Sequence, residues 1–213
     1  MPGNPAGIGM PRLPSTIYRL LSTVCRLPYF QGRNLFMTQV SAIYLVVSGA
    51  SAARCVPELI GELQQFDLPV YTLLTENARR ILSPYHLADV EGHTYVRSYF
   101  DAVLVDGRRP GLTLVAPATF NTLNKIAQGI ADTLAHSLVA EAIGAGWPVI
   151  IAPSMNPNLA NHPQMAQSLK LLQRWGVKAI EPQMQDDLLM MAPIPNIIAG
   201  VESALQAVRL DMR

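Results

Sequence analysis

Short apolar runs recur along the chain from residue 40 onward, and a turn and an amphipathic stretch follow most of them. The runs are rich in Val, Ile and Leu at consecutive positions, which is typical of strands buried on both faces of a sheet. We predict strands at 40–47, 69–74, 112–116, 147–152 and 177–180. A further short strand is predicted at 102–105, within the least regular part of the sequence.

Helical periodicity fills most of the segments between these runs. We predict helices at 52–66, 76–82, 120–143, 163–175 and 197–208. The pattern at 120–143 is predicted to form two helices because Gly129 interrupts it. Strands that alternate with helices favour a parallel sheet covered by helices on both faces. The sequence therefore predicts an open, three-layer α/β/α, Rossmann-like fold that forms a single domain over residues 39–213.

The first 38 residues differ from the rest of the chain. Arginines and prolines are spread through them, and the first acidic residue is Glu58. We predict a disordered tail or an extension that arises from a mis-assigned start, because Met37 directly precedes the first strand region and the prolines interrupt regular helix. A basic segment without acidic residues is also typical of a transit peptide, and that alternative stays open.

Composition and charge exclude several classes of function. The formal net charge is +1, so no strong field attracts nucleic acid or an anionic membrane. Cys25 and Cys55 are the only cysteines, which gives neither a disulfide framework nor a zinc set. No apolar run is long enough to cross a bilayer. We expect a cytoplasmic protein that binds neither nucleic acid nor membranes.

The loops that follow the predicted strands are the expected location of a ligand site, because ligands of such folds bind at the carboxyl ends of the strands. Loop 48–51 consists of small residues that allow a phosphate to approach the backbone at the start of a helix. It matches neither a Walker A motif nor G-x-G-x-x-G. Thr75 follows the second strand and is a candidate helix cap.

Two further loops share a pattern in which Ala-Pro ends a strand and a hydroxyl residue and an asparagine follow. These loops are 117–122 and 153–158, and Asn121 is a candidate N-cap of the next helix. The loops contain no acid–base pair, no metal-ligand cluster and no catalytic triad. Amides, hydroxyls and a thioether favour a neutral, planar, redox-active ring over hydrolysis.

The same loops carry a resemblance to a known family. The matching segments are 48–53 (SGASAA), 75–84 (TENARRILSP), 117–122 (PATFNT), 123–142 (LNKIAQGIADTLAHSLVAEA) and 153–160 (PSMNPNLA). They resemble the flavoproteins that include phosphopantothenoylcysteine decarboxylase, an enzyme of coenzyme A biosynthesis, and the lantibiotic peptidyl-cysteine decarboxylases. The resemblance implies FMN as cofactor, a small-molecule or peptidyl-cysteine substrate, and a homo-oligomer of trimers or multiples of trimers.

The resemblance also implies roles for particular residues, which we write as expectations. Those expected to hold the FMN phosphate or to lie beside it are Gly49, Ala50, Ser51, Thr75 and Ala78. Those expected to border the isoalloxazine ring or the substrate are Ala118, Thr119, Asn121, Met155 and Asn156. Asn121 is the candidate catalytic residue, as a polar contact to the substrate.

The chain departs from the family pattern in its acid–base residue and in its flap. The family carries a catalytic histidine upstream of the Pro-Ala-Ser-Ala-Asn-Thr loop, and the corresponding position here is Val103. His86 and His93 are predicted to be ordinary loop residues, with His93 as a less favoured substitute. The flap region 183–196 contains neither Gly nor Cys, although Met190 and Met191 are candidates to cover a flat ring.

These departures leave more than one function open. Flavin-dependent oxidation and decarboxylation of a cysteine-like substrate is the leading hypothesis, and a non-catalytic flavin-binding or regulatory subunit is the alternative. A nicotinamide-dependent oxidoreductase is disfavoured because G-x-G-x-x-G is absent from the sequence. Flavin prenylation would need a basic prenyl-phosphate site, for which Arg79, Arg80 and Arg97 are candidates. His136 and His162 are predicted to have structural roles.

Overall fold

A six-stranded, fully parallel sheet forms the centre of the computed structural model, which describes residues 39–101, 104, 109–185 and 188–211. The strands are β1 Ile43–Val47, β2 Val70–Leu74, β3 Thr94–Tyr95, β4 Leu112–Ala118, β5 Val149–Pro153 and β6 Lys178–Ala179. Their order across the sheet is β3-β2-β1-β4-β5-β6, and every pairing is parallel. The predicted leader at 1–38 lies outside the described residues.

Helices and one hairpin complete the described fold. The helices are α1 Val56–Leu63, α2 Glu76–Arg79, α3 Pro84–Ala88, α4 Phe120–Ala127, α5 Leu134–Gly144, α6 Pro157–Ala160, α7 Pro163–Arg174 and α8 Ile194–Asp211. An antiparallel hairpin joins β7 Gln183–Gln185 to β8 Leu188–Met190. No helix in these described ranges is long and apolar enough to cross a membrane.

The predicted boundaries need several corrections. The predicted helix at 52–66 consists of a 3₁₀ turn, α1 and a second 3₁₀ turn. The pattern at 120–143 divides into α4 and α5 as expected, with Gly129 at φ +68° between them. Of the predicted strand at 102–105, only Leu104 is described, and it is helical.

Two hydrophobic layers cover the two faces of the sheet. Ile43, Leu45 and Val47 of β1 pack in one cluster with apolar residues of α1 and α8. Tyr44 and Val46 pack in the other cluster with apolar residues of α4, α5 and α7. All five β1 residues are therefore buried, which explains why the strand reads as a continuous apolar run rather than an alternating one. The three-layer α/β/α prediction is confirmed.

The strand order places a crevice at one edge of the sheet. After β1 the chain continues to β2 and β3 on one side, whereas β4, β5 and β6 lie on the other side. The helices that follow β1 and β4 also cover opposite faces, since α1 belongs to one cluster and α4 to the other. The loops after β1 and β4 consequently diverge, and open sheets of this type bind ligands at that switch point.

Candidate functional site

A cavity of about 680 Å³ opens at the carboxyl ends of β1, β2, β4 and β5. This volume lies within the range of about 300–1,000 Å³ that is usual for small-molecule sites. The residues that line it are Gly49, Ala50, Ser51, Thr75, Glu76, Asn77, Thr119, Phe120, Asn121, Thr122, Lys125, Asp132, Thr133, His136, Ser154, Met155, Asn156, Leu159, Leu189 and Met190. The cavity thus unites the four loops that the sequence singled out.

The loops after β1 and β2 contact each other through a glycine. A Cβ atom at position 49 would lie 2.6 Å from Cβ of Asn77 and 2.9 Å from its carbonyl carbon. Gly49 is therefore required by the close approach of these two loops. Thr75 begins α2, and its Oγ1 accepts a hydrogen bond from the N–H of Ala78 at 3.4 Å. Backbone, the small side chains of loop 49–51 and Thr75, and the longer side chains of Glu76 and Asn77 form this end of the cavity.

Ser48 joins the loop after β1 to the loop after β4. Its hydroxyl donates to the carbonyl oxygen of Pro117 at 2.7 Å and accepts from the N–H of Thr119 at 2.8 Å. The side chain is fully buried. These two bonds fix the separation of the loops on either side of the switch point, a role that the sequence pattern did not reveal.

In loops 117–122 and 153–158, two of the polar residues are helix N-caps and a third is exposed to the cavity. Thr119 is the N-cap of α4, and its Oγ1 accepts from the N–H of Thr122 at 3.4 Å. Asn156 is the N-cap of α6, and its Oδ1 accepts from the N–H of Leu159 at 3.0 Å. The prediction that Asn121 caps α4 is therefore wrong, because Thr119 does so. The Asn121 amide is exposed at the cavity wall.

The β7–β8 hairpin forms part of the cavity wall. The N–H of Met155 donates to the carbonyl oxygen of Leu189 at 3.1 Å, which ties the hairpin to the loop after β5. Leu189 and Met190 line the cavity, whereas Met191 is buried in the core. Of the two methionines proposed as a cover, the structure thus places only Met190 at the site.

A cluster of charged and polar residues forms another part of the cavity wall, and the sequence did not predict it. Nζ of Lys125 lies 2.6 Å from Oδ2 of Asp132, and Oδ1 of Asp132 lies 3.5 Å from Nδ1 of His136. Oγ1 of Thr133 lies 2.7 Å from the same Nδ1. The hydrogen bond from Lys125 is the main reason that the pKa of Asp132 is lowered. We call these four residues the histidine cluster.

His136 itself is buried, with only 4% of its surface exposed. Burial disfavours the imidazolium and lowers the pKa of His136; Lys125 acts in the same direction and Asp132 opposes it. Its Nε2 is buried and has no hydrogen-bond partner among the described residues. The spacing of Asp132 and His136 was the signal in the sequence that could have revealed the cluster. It was overlooked because His136 stands among apolar residues, a pattern that indicates a packed helix.

Most of the predicted site residues lie together in the cavity wall. Ala78 and Ala118 do not: both are fully buried behind it, and their side chains do not line the cavity. His93 is also elsewhere, with its Nε2 hydrogen-bonded to the carbonyl oxygen of Leu87 at 2.8 Å. His162 is the N-cap of α7, which confirms its structural role. Across the described ranges, no group of His, Cys, Asp and Glu is placed to hold a metal ion.

Comparison with known protein families gives a match over most of the chain. A family model described as Flavoprotein matches residues 34–206. The bifunctional coenzyme A biosynthesis protein CoaBC of Thermococcus kodakarensis is 32% identical over 175 residues, which are 79% of this chain and 43% of that protein. This chain therefore spans less than half the length of that relative. Phosphopantothenoylcysteine decarboxylase of Mus musculus is 32% identical over 176 residues, which are 75% of this chain and 84% of that protein.

Solved structures share the fold. The FMN-dependent cysteine decarboxylase SpaF superposes with a TM-score of 0.66 at 25% identity, over 81% of this chain and 99% of SpaF. The FMN-binding protein AtHal3 superposes with a TM-score of 0.67 at 23% identity, over 78% of this chain and 97% of that protein. At that identity the second likeness concerns the fold alone.

Proposed function

This chain belongs to the flavoprotein family, and from that premise we propose that it binds FMN in the cavity and oxidises a cysteine-like substrate there. Family membership makes a flavin the class of cofactor. The single observation that carries the proposal is the convergence of four loops on one cavity large enough for a phosphorylated ring system. A precursor of coenzyme A is the proposed substrate by analogy with the matched phosphopantothenoylcysteine decarboxylase. A peptide ending in cysteine is proposed beside it, from the resemblance to the peptidyl-cysteine decarboxylases.

The residues present fit a phosphate at one end of the cavity. Gly49, Ala50 and Ser51 present backbone and small side chains at the start of the 3₁₀ turn that leads into α1. Turns at helix starts favour anions because their N–H groups point outward. Thr75 adds a hydroxyl from the neighbouring loop. Glu76 also lines this part and carries a negative charge, so the phosphate is proposed to lie on the 49–51 side.

The other end of the cavity suits a flat ring and a polar substrate. Met155, Met190 and Leu189 supply apolar, adaptable surface. Asn121 does not cap a helix, and its amide is proposed to bind and orient the substrate. A bound flavin would supply the two-electron oxidation that precedes loss of carbon dioxide. The residues of this chain would position the substrate and exclude water from it.

A flavin-binding test decides this proposal. The purified protein, incubated with excess FMN and then desalted, is expected to retain flavin absorbance at a stoichiometry near one FMN per chain. Turnover is then measured with 4′-phosphopantothenoylcysteine and with a peptide ending in cysteine. Loss of all flavin on desalting, together with unquenched flavin fluorescence in titrations, would refute the proposal.

The alternative is a flavin-binding subunit without decarboxylase activity. Two observations favour it: Val103 stands where the family pattern has histidine, and the segment 183–196 lacks the flap cysteine. Retained FMN with no turnover of either substrate would support this function. Appreciable release of carbon dioxide would exclude it.

We also propose that the protein is a cytoplasmic homo-oligomer. Phe100 and Tyr85 are 89% and 82% exposed, and large aromatic side chains at such exposure are usual at interfaces. Light scattering of the FMN-loaded protein during gel filtration is expected to give a trimer or a multiple of it. A monomer at micromolar concentration would contradict this assembly.

A further inference from the structure

Lys125 is the only lysine or arginine among the described residues that line the cavity. It lies one helical turn after Asn121 in α4, so the two side chains share the face of this helix that borders the cavity. Nζ of Lys125 lies 2.6 Å from Oδ2 of Asp132, and this contact holds the ammonium at the wall. The phosphate proposed against residues 49–51 gives this cation no role.

The charged side chains around the cavity differ in how much water screens them. The side chain of Lys125 is 24% exposed, that of Asp132 is 50% exposed and that of Glu76 is 85% exposed. Glu76 is also paired with Arg80 at 3.8 Å. Because water screens an exposed charge more than a partly buried one, the ammonium acts more strongly on the inside of the cavity than either carboxylate does.

The pKa of His136 is consistent with this sign of the field at the cavity wall. Burial is the main cause of its lowered pKa. Of the two charges beside the ring, Lys125 lowers the pKa by more than Asp132 raises it, although Oδ1 of Asp132 lies only 3.5 Å from Nδ1. At this part of the wall the ion pair therefore acts as a net positive charge.

Oxidation of the proposed substrate adds negative charge to the cavity. When a carbon next to a thiol is oxidised to a thiocarbonyl, one C–H bond and the S–H bond break and the C=S double bond forms. Two electrons and two protons leave the substrate. Both electrons and one proton pass to the bound flavin, and the other proton passes to solvent, so the flavin site gains one negative charge.

We propose that the ammonium of Lys125 stabilises this added negative charge and thereby raises the reduction potential of FMN bound in the cavity. The inference rests on the proposed function. A charge that is held in place before the reaction stabilises an opposite charge that develops near it. Asp132 holds the ammonium and also offsets part of its charge, so the two members of the ion pair have opposite effects on the potential.

The reduction potential of bound FMN tests this role without relying on turnover. Lys125→Met is expected to weaken the binding of reduced FMN relative to oxidised FMN by about tenfold or more, which lowers the potential of this two-electron couple by about 30 mV or more. The potential is measured anaerobically against a reference dye. Lys170→Met is the matched control and is expected to keep the wild-type potential, because Lys170 is exposed on α7 and does not line the cavity.

Asp132→Asn separates an electrostatic role of the ion pair from a structural one. Both Lys125→Met and Asp132→Asn break the contact between Nζ and Oδ2. A structural role would move the potential in the same direction in both variants or leave it unchanged. The proposed role requires a lower potential in Lys125→Met and a higher potential in Asp132→Asn, and any other pair of results would overturn it.

Controls keep the outcome tied to the charge. Folding of each variant is checked by circular dichroism, and Lys125→Gln replaces Lys125→Met if the latter does not fold. For a variant that binds FMN weakly, titrations with oxidised and with reduced FMN give the two dissociation constants, whose ratio reports the same shift. Wild-type protein that binds FMN, with an unchanged potential in Lys125→Met, refutes this inference alone. Wild-type protein that binds no FMN refutes the proposed function and this inference with it.

Discussion

Substitution of Gly49 by alanine tests whether the loop after β1 holds the cofactor phosphate. The added Cβ atom would lie 2.6 Å from Cβ of Asn77 and within 3.1 Å of two of its backbone atoms. Contacts this short must be relieved, and the atoms involved are backbone or close to it rather than the end of a flexible side chain. The loops after β1 and β2 must therefore move apart in the variant.

The loss of FMN affinity in Gly49→Ala depends on whether the free or the FMN-bound protein carries the strain. Overpacking of this kind typically costs about 1–3 kcal/mol. In the free variant we expect a displacement of loop 48–51 to relieve the contact, whereas the proposed FMN-bound form needs this loop in place. If the cost falls on the bound form, the dissociation constant of FMN rises about 5- to 150-fold, since 1.4 kcal/mol corresponds to a factor of ten.

The assay is a titration of flavin fluorescence, with Gly61→Ala as the matched control. Gly61 is exposed in α1, and no atom lies within 4 Å of a Cβ built there. Alanine at a helix position stabilises by up to about 1 kcal/mol, so this variant is expected to bind FMN as the wild type does. Wild-type affinity in Gly49→Ala, or an equal loss in both variants, would refute the proposed place of the phosphate.

Three further predictions concern the same site. Ser48→Ala removes both hydrogen bonds of a fully buried hydroxyl and is expected to lower the free energy of unfolding by about 1–3 kcal/mol in urea titrations. Ser203→Ala removes one solvent-exposed hydrogen bond, from Nζ of Lys178, and should change the free energy of unfolding by less than about 0.5 kcal/mol. Asn121→Ala is expected to leave the FMN content unchanged and to lower the turnover rate. A turnover rate equal to that of the wild type would contradict the proposed role of Asn121 in orienting the substrate. The pKa of His136 in the folded state lies below the reference value of 6.5, so the unfolded state binds more protons as the pH falls through this range. The free energy of unfolding is therefore expected to decrease as the pH falls below about 6.5. If the His136→Gln variant loses as much unfolding free energy per pH unit as the wild type, another group is responsible.

The fold was predictable because its central strands are buried on both faces. The residues of β1, β4 and β5 are buried throughout, and each strand appears in the sequence as a continuous apolar run. β3 has only two residues, neither of which is buried, and it was missed because no apolar run marks it in the sequence. β6 is equally short and exposed, but the buried Val177 and Ile180 on either side of it revealed it. The β7–β8 hairpin was missed because Gln183 and Gln185 interrupt any apolar pattern there.

The uncharged cavity residues of the four loops were also predictable, because these loops directly follow strands. The family resemblance is confirmed, and the flavin class of the cofactor with it. The individual roles of Gly49, Thr75 and Met155 toward FMN, and of Asn121 toward the substrate, stay predictions. Their placement around one cavity follows from parallel strands that end at the same edge of the sheet.

The histidine cluster could not be predicted in the same way. Its members come from the end of α4 and the start of α5, and they meet only because the chain turns back after Gly129. In the sequence, His136 stands among apolar residues at helical spacing, a pattern that indicates packing. Only the three-dimensional structure shows that this packed residue lines the cavity.

A crystal structure of the protein with FMN and a thiol ligand tests the central claim most directly. We expect the phosphate against residues 49–51, the ring beside Met155 and Met190, and the thiol ligand beside Asn121. FMN bound at a different surface, or a cavity that stays closed to it at saturating concentration, would contradict the account.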